Sequence, residues 1–368
     1  MRFLCQAQAF LAGLSVVTRA LSARTTQSIL EGVLIKSSEE GIELTCSDGT
    51  ISIVTSVDAT VSQQGSVVLP GKLLLDVVRK MPQAQIDVSV NESCSCTMKC
   101  QGIRMTLSGQ QGKFFPSLPL VSAENSFTLP QAVLREMMTQ TSFAIAVEDP
   151  RKVLNGCLFE INKGEATMVA LDGFRLALRK TRLSEAAPDL SAIIPGKSVN
   201  EISKILENNE EKVAMILIGG SQMMINLGET VFYSTLIDGE YINYRQILPS
   251  EWTTRVKIDR DELAMCVDRA SLIAREGRNN LVKIEIQNGM LIITSNSENG
   301  NVYEEIEVET EGEGMTIAFN VQYVADILRV MPEGEAFMQF KSSVSPCLIA
   351  PEQGDEFTYL MLPVRVNA

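Results

Sequence analysis

Leu69-Pro70-Gly71-Lys72 opens an apolar-periodic segment that halts at Met81-Pro82, and the same arrangement returns as Ile194-Pro195-Gly196-Lys197 and again as Phe319-Asn320-Val321-Gln322. The third copy also ends on Met-Pro, at Met331-Pro332, and each copy follows the last by 125 residues. The upstream half of the unit repeats too. Helical periodicity starting near Ala9, Ala132 and Glu262 runs in each case into an apolar strand, over 29–35, 153–159 and 281–286. Hairpin turns follow at Asp48-Gly49 and Asp172-Gly173, while in the third copy Asn288-Gly289 closes an earlier hairpin and a polar turn near Glu298 takes the later place. Strands over 213–218 and 223–227 are expected to pair across Gly219-Gly220, and Gly312 with Gly314 reads as another hairpin turn. Each copy is therefore an α+β unit of two helices packed on antiparallel sheet, which divides the chain into domains at 1–125, 126–253 and 254–368.

Bulk properties agree with this size. A chain of 368 residues exceeds one ordinary core, and 45% hydrophobic with 21% charged residues is a globular composition. No apolar run approaches the roughly 18 residues that span a bilayer. Near the start, Gln6 and Gln8 interrupt the apolar stretch while Leu11, Leu14 and Val17 continue it at helical spacing, so a helix is expected there rather than a signal segment. Eight cysteines, at 5, 46, 94, 96, 100, 157, 266 and 347, are too dispersed for a disulfide scaffold, and a cytoplasmic protein with reduced thiols is expected.

Several chemistries drop out. The chain has no histidine, which removes Ser-His-Asp and Cys-His catalysis and the commonest metal ligand. Cys94, Cys96 and Cys100 alternate along one segment, but structural metal sites want four ligands at other spacings, so small buried side chains are the better reading. The glycine pairs do not precede a helix in phosphate-cradling order, and the acidic runs 207–211 and 304–313 lack the alternation of a calcium loop. No cofactor, metal or catalytic residue is expected. A thiol-dependent transferase would need an activated cysteine, for which no histidine partner exists.

A net charge of −13 argues against a phosphate partner until its distribution is considered. Windows 6–24 and 70–80 carry +2 each, 196–206 carries +1, and 131–143, 260–275 and 320–330 are neutral, so the predicted helices hold +5 and the remainder −18. A basic helical layer within an acidic body follows, although such an excess also arises on ordinary solvated helix surfaces.

Val153-Leu154-Asn155-Gly156-Cys157-Leu158-Phe159-Glu160 and Leu171-Asp172-Gly173-Phe174-Arg175-Leu176-Ala177 resemble the bacterial DNA sliding clamp family, the beta subunit of the replicative DNA polymerase. So do Asp238-Gly239-Glu240-Tyr241, Tyr244-Arg245 with Ile247-Leu248-Pro249, and Leu362-Pro363-Val364-Arg365-Val366, and the likeness spans the whole chain. It implies a non-enzymatic, head-to-tail ring dimer of six similar domains, with helices lining a hole that holds double-stranded DNA without reading its sequence. Twelve helices at roughly 9 Å spacing enclose a bore of about 24 Å, enough for a duplex, whereas six leave only about 6 Å.

Resemblance and helix position together assign backbone contacts to Arg24, Lys72, Arg79, Lys80, Lys152, Lys197 and Lys204. The likeness also implies a groove between the second and third domains that takes short peptides of the polymerase, the clamp loader and repair proteins. Its residues by motif are Leu154, Leu171, Gly173, Phe174, Arg175, Leu176, Ile247, Pro346, Leu360, Met361, Leu362, Pro363, Val364 and Arg365. Ile242 stands where relatives often carry proline, and Gln246 where they often carry a basic residue. Leu154, Leu176 and Val364 are expected to wall the deeper pocket, with Met361 and Leu362 as an adaptable lip. Without the resemblance these aliphatic residues read as ordinary core. The dimer contact is expected between Arg104, Met105 and Leu107 of one subunit and Leu272 and Ile273 of the other. A self-assembling filament of repeated domains is the competing architecture, and a discrete dimer in light scattering separates the two.

Overall fold

The computed structural model describes residues 1–22, 25–122, 125–277 and 280–365. It contains six α-helices among the described residues, two per repeat: α1 Ala7–Val17, α2 Gly71–Arg79, α3 Gln131–Ser142, α4 Gly196–Ile205, α5 Arg260–Ala274 and α6 Val321–Val330. Helices α2, α4 and α6 begin directly after the strands that end on Pro70, Pro195 and Asn320, as the repeat demands. Asn320 caps α6 by accepting from the Gln322 N–H at 2.9 Å, and Asp259 caps α5 by accepting from the Glu262 N–H at 2.9 Å.

The chain forms two compact units, and each holds a complete antiparallel junction between neighbouring repeats. The first comprises Met1–Leu134 with Lys204–Leu236. In its nine-stranded sheet, strand Ile51–Val57 of the first repeat pairs with Thr230–Thr235 of the second, from Thr55 opposite Thr230 to Ile51 opposite Ser234. A five-stranded sheet accompanies it and ends on the edge strand Ile103–Ser108. Helix α1 buries Phe10, Leu14 and Val17 at helical spacing, and Phe10 meets Phe3 edge-on at 6.2 Å.

The second unit comprises Arg135–Ser203 with Ile237–Ala368. Its nine-stranded sheet joins Arg175–Arg182 of the second repeat to Phe357–Met361 of the third, from Arg179 opposite Phe357 to Arg175 opposite Met361. Its four-stranded sheet ends on the edge strand Gly300–Glu307. The two junctions are the same pairing advanced by one repeat.

Two expected strands begin late. Ser28–Glu31 and Lys152–Asn155 are 3-10 turns, and the strands start at Gly32 and Gly156. The turns send Leu30 and Leu154 into their cores, and the glycines allow the next strand to come close: a Cβ at Gly156 would lie 2.5 Å from the Ile194 carbonyl oxygen. Gly219-Gly220 does close a hairpin. Gly312 and Gly314 do not, because they connect Glu309–Gly312 of the nine-stranded sheet to Met315–Asn320 of the four-stranded one. A Cβ at Gly312 would lie 1.9 Å from the Thr253 carbonyl oxygen, so the crossing is too tight for any other residue.

Two of the three alternating cysteines are core, and Cys94 is half-buried because the strand begins only at Ser95. Cys96 and Cys100 are buried on strand Ser95–Cys100, Cys94 lies in the preceding turn at φ 60°, and no cluster of metal-ligating groups occurs among the described residues. Burial pushes the Cys5, Cys96 and Cys157 thiols up to about 12 and Cys266 to about 11, the reverse of what a thiolate nucleophile needs. No helix among the described residues is long and apolar enough to cross a membrane.

Candidate partner-binding groove

A row of four leucines runs across four strands of the second unit. Leu171 faces Leu176, Leu176 faces Leu360, and Leu360 faces Leu348. Side chains opposite one another in antiparallel strands share a face, so the row is one continuous apolar stripe. Leu154, Leu158, Val169, Leu178, Ile193 and Tyr244 extend it as a buried cluster, flanked by half-buried Val153, Ile237, Tyr241, Ile242, Leu248 and Leu348.

The hairpin at the end of this stripe is held by its own aspartate. Asp172 accepts from the backbone N–H groups of Phe174 at 2.9 Å and Arg175 at 3.0 Å, while Gly173 takes φ 92°. Phe174 is thereby turned outward, 58% exposed, with its ring stacked on Tyr323 at 6.3 Å. Its carbonyl accepts from the Leu362 N–H at 2.8 Å, which brings the C-terminal segment to the same rim. Pro363 and Val364 follow half-buried, the Val364 N–H donating to the Ala318 carbonyl at 2.8 Å, and Arg365 is exposed.

The segment after Ile237 supplies the other flank. Tyr244 is buried and donates to Glu160 at 2.6 Å, and Arg245 bonds the same carboxylate. Burial and that carboxylate keep the phenol protonated. This anchor leaves Gln246 and Ile247 exposed on the short turn Tyr244–Gln246 and its cap, with Ile242 half-buried behind them. Pro346 is half-buried just ahead of strand Cys347–Pro351.

Phe174, Ile247 and Leu362 are therefore exposed apolar residues, and Leu154, Leu171, Leu176 and Leu360 are buried in the cluster of the same unit. Two expectations change. Met361 is no part of a lip: it is fully buried within its strand, opposite both Arg175 and Cys347, because the strand continues to that residue. Leu154 and Leu176 are core at 0% and 1% exposure, so truncating them removes packing as well as any pocket surface. The sequence reading quoted Tyr241 and Tyr244 in its motifs without assigning them to the groove, and it missed Leu348, which carried a signal in the alternation of its strand.

The remaining candidates lie elsewhere. Lys72 and Arg79 on α2, Lys80 at its C-cap, Lys152, and Lys197 and Lys204 on α4 are all exposed, with Arg79 paired to Asp76 at 3.0 Å; Arg24 falls outside the described residues. The six helices hold eight basic and seven acidic residues, a net +1, so most of the +5 assigned to wider windows sits at helix flanks such as Arg19 and Lys80. In the first unit, Arg104 is exposed, Met105 half-buried and Leu107 buried on the edge strand Ile103–Ser108. In the second, Leu272 is 65% exposed on α5, and Ile273 lies beside the edge strand, 3.7 Å from where a Cβ on Gly300 would stand.

Known proteins match this chain throughout. Models of the DNA polymerase III beta subunit match its N-terminal domain at residues 1–119, central domain at 128–243 and C-terminal domain at 245–365. A beta sliding clamp of Staphylococcus aureus is 34% identical over 375 residues, covering 99% of both chains, and that of Halalkalibacterium halodurans is 33% identical over 379, covering 99% of this chain and 100% of the other. The crystal structure of the Bacillus subtilis DNA polymerase sliding clamp superposes with a TM-score of 0.95 at 32% identity, covering both chains in full. Three domain models end to end, with relatives matched over their full length, carry a single conclusion: the chain belongs to the DNA polymerase III beta subunit family, the beta sliding clamps, which are processivity factors of DNA replication and not enzymes.

Proposed function

We propose that this chain acts as a cytoplasmic head-to-tail dimer of three domains per subunit, 1–125, 126–253 and 254–368, closed around duplex DNA. The supporting observation is the repeated junction. Two copies of it occur within the chain, and a third is available only between chains, because Ile103–Ser108 and Gly300–Glu307 are the sheet edges that correspond to its two sides. Following the repeat, Leu107 corresponds to Ser234 and Met361, and Gly300 to Ile51 and Arg175. The register between subunits then sets Leu107 opposite Gly300, Met105 opposite Val302 and Arg104 opposite Tyr303. The helix contact carries over as well: Phe143 lies 5.9 Å from Tyr359, and their counterparts are Leu272 and Met105. An unpaired edge strand next to an exposed leucine is otherwise an invitation to aggregation.

Within the ring the exposed lysines and arginines hold phosphates loosely, so the clamp slides, while the groove takes apolar anchors of short peptides from the polymerase, the clamp loader and repair proteins. Replacing Leu272 and Ile273 by alanine tests the closure. Sedimentation should give monomers that remain folded, whereas an unchanged dimer mass assigns the interface elsewhere.

A further inference from the structure

Helices α2, α4 and α6 carry an acid at the same position, Asp76, Glu201 and Asp326, and a base three residues later, Arg79, Lys204 and Arg329. In the first copy this is a surface pair: Asp76 meets Arg79 at 3.0 Å and its side chain is 54% exposed. In the third copy the equivalent carboxylate is only 12% exposed. One Asp326 oxygen accepts from Arg175 at 2.5 Å; the other accepts from Gln322 at 2.8 Å and pairs with Arg329 at 3.2 Å. Arg175, equally buried, also donates to Asp172 at 3.0 Å, and its guanidinium lies 4.6 Å from the Tyr323 ring centre and 5.3 Å from that of Phe143.

The internal repeat indicates why this pair stands apart. The residues corresponding to Arg175 are Ile51 and Gly300, neither of which can form an ion pair. Only the junction that carries the leucine groove has a cation here, and a buried carboxylate to receive it. A partly buried pair satisfied by further hydrogen bonds is geometrically exacting, since its loss leaves a charge uncompensated.

We infer that Asp326 is a positioning residue for the groove: by locking Arg175 it fixes the Asp172–Phe174 turn and the end of strand Phe357–Met361, and with them the rim formed by Phe174 and Leu362. The path is continuous. Asp326 holds the Arg175 side chain, Asp172 holds the Arg175 side chain and the backbone of its turn, and the turn's Phe174 carbonyl holds the Leu362 N–H. Tyr323, one helical turn before Asp326's neighbour Ile327, supports the Phe174 ring on the same helix.

This inference rests on the groove reading, and one experiment separates the two. A fluorescein-labelled hexapeptide with leucine and phenylalanine anchors is titrated into the full-length protein, its Asp326→Asn variant and its Asp326→Glu variant, alongside hydrogen exchange. Asp326→Asn should weaken the peptide about tenfold, the loss of one charge-assisted bond. Exchange should quicken in strands Arg175–Arg182 and Phe357–Met361 and at Leu362, but not in the corresponding pair Ile51–Val57 and Thr230–Thr235. Asp326→Glu, which keeps the charge, should recover part of both effects. If Asp326→Asn does not fold, Arg175→Lys carries the same comparison. No binding to the unmodified protein refutes the groove reading itself. Binding that is equal in all three proteins, or exchange that quickens equally in both strand pairs, overturns the role of Asp326.

Discussion

Leu176 illustrates how a residue can be assigned by motif and still be misjudged in kind. It is paired with Leu171 on one side and Leu360 on the other and is 1% exposed, so truncation to alanine costs about 2–5 kcal/mol of packing and confounds a binding assay. Ile247 and Leu362, exposed at 39% and 36%, report on the groove more cleanly. Changing both to aspartate should leave the melting temperature within a few degrees and reduce apolar peptide affinity at least tenfold, by withdrawing apolar contact area and adding charge where anchors settle. Equal affinity in the folded double variant would move the groove elsewhere. That Leu154, Leu171 and Leu176 belong together was legible because their motifs are contiguous in sequence, and the structure places all three in one buried cluster. Asp326 and Tyr323 were not, since their relation to Arg175 and Phe174 exists only after a helix from the third repeat meets a hairpin from the second.

At the scale of elements, the helices were the most legible part, and at α2, α3, α4 and α6 proline or asparagine at a strand end followed by helical periodicity leaves little choice. Strand starts at Gly32 and Gly156 were not, because an apolar run continues through a 3-10 turn without changing composition. The Gly312 to Gly314 crossing failed for another reason: a hairpin and a passage between sheets use the same residues, and only strand partners tell them apart. The edge strand Gly300–Glu307 has its own electrostatic signature. Arg269 on α5 bonds Glu304 through its side chain and holds that carboxyl below the usual range of 4.5. A lowered folded value means the pair's stabilisation is complete above the ordinary glutamate range and disappears as pH falls through the folded one. Melting temperature should therefore fall more steeply between pH 5 and pH 3 in the unmodified protein than in Glu304→Gln, measured in parallel by circular dichroism. Parallel curves would show that Glu304 contributes nothing to this edge.

For the whole molecule, a chain of net charge −13 whose helices sum to only +1 is poorly suited to tight equilibrium binding of DNA. A few exposed lysines and arginines release few counterions, so affinity for free DNA should be weak, and salt should lower it only by the small power that those few contacts set. Topology removes the difficulty, because a closed ring on a closed circle is retained without any strong contact. The direct measurement is to load the protein onto nicked circular DNA with a clamp loader, raise the salt to about 0.5 M, where surface charge contacts are largely screened, and filter the products by size before and after linearising the DNA. Protein that stays with the circle in high salt and leaves once the circle is cut is the predicted result; equal loss from circular and linear DNA would contradict the ring.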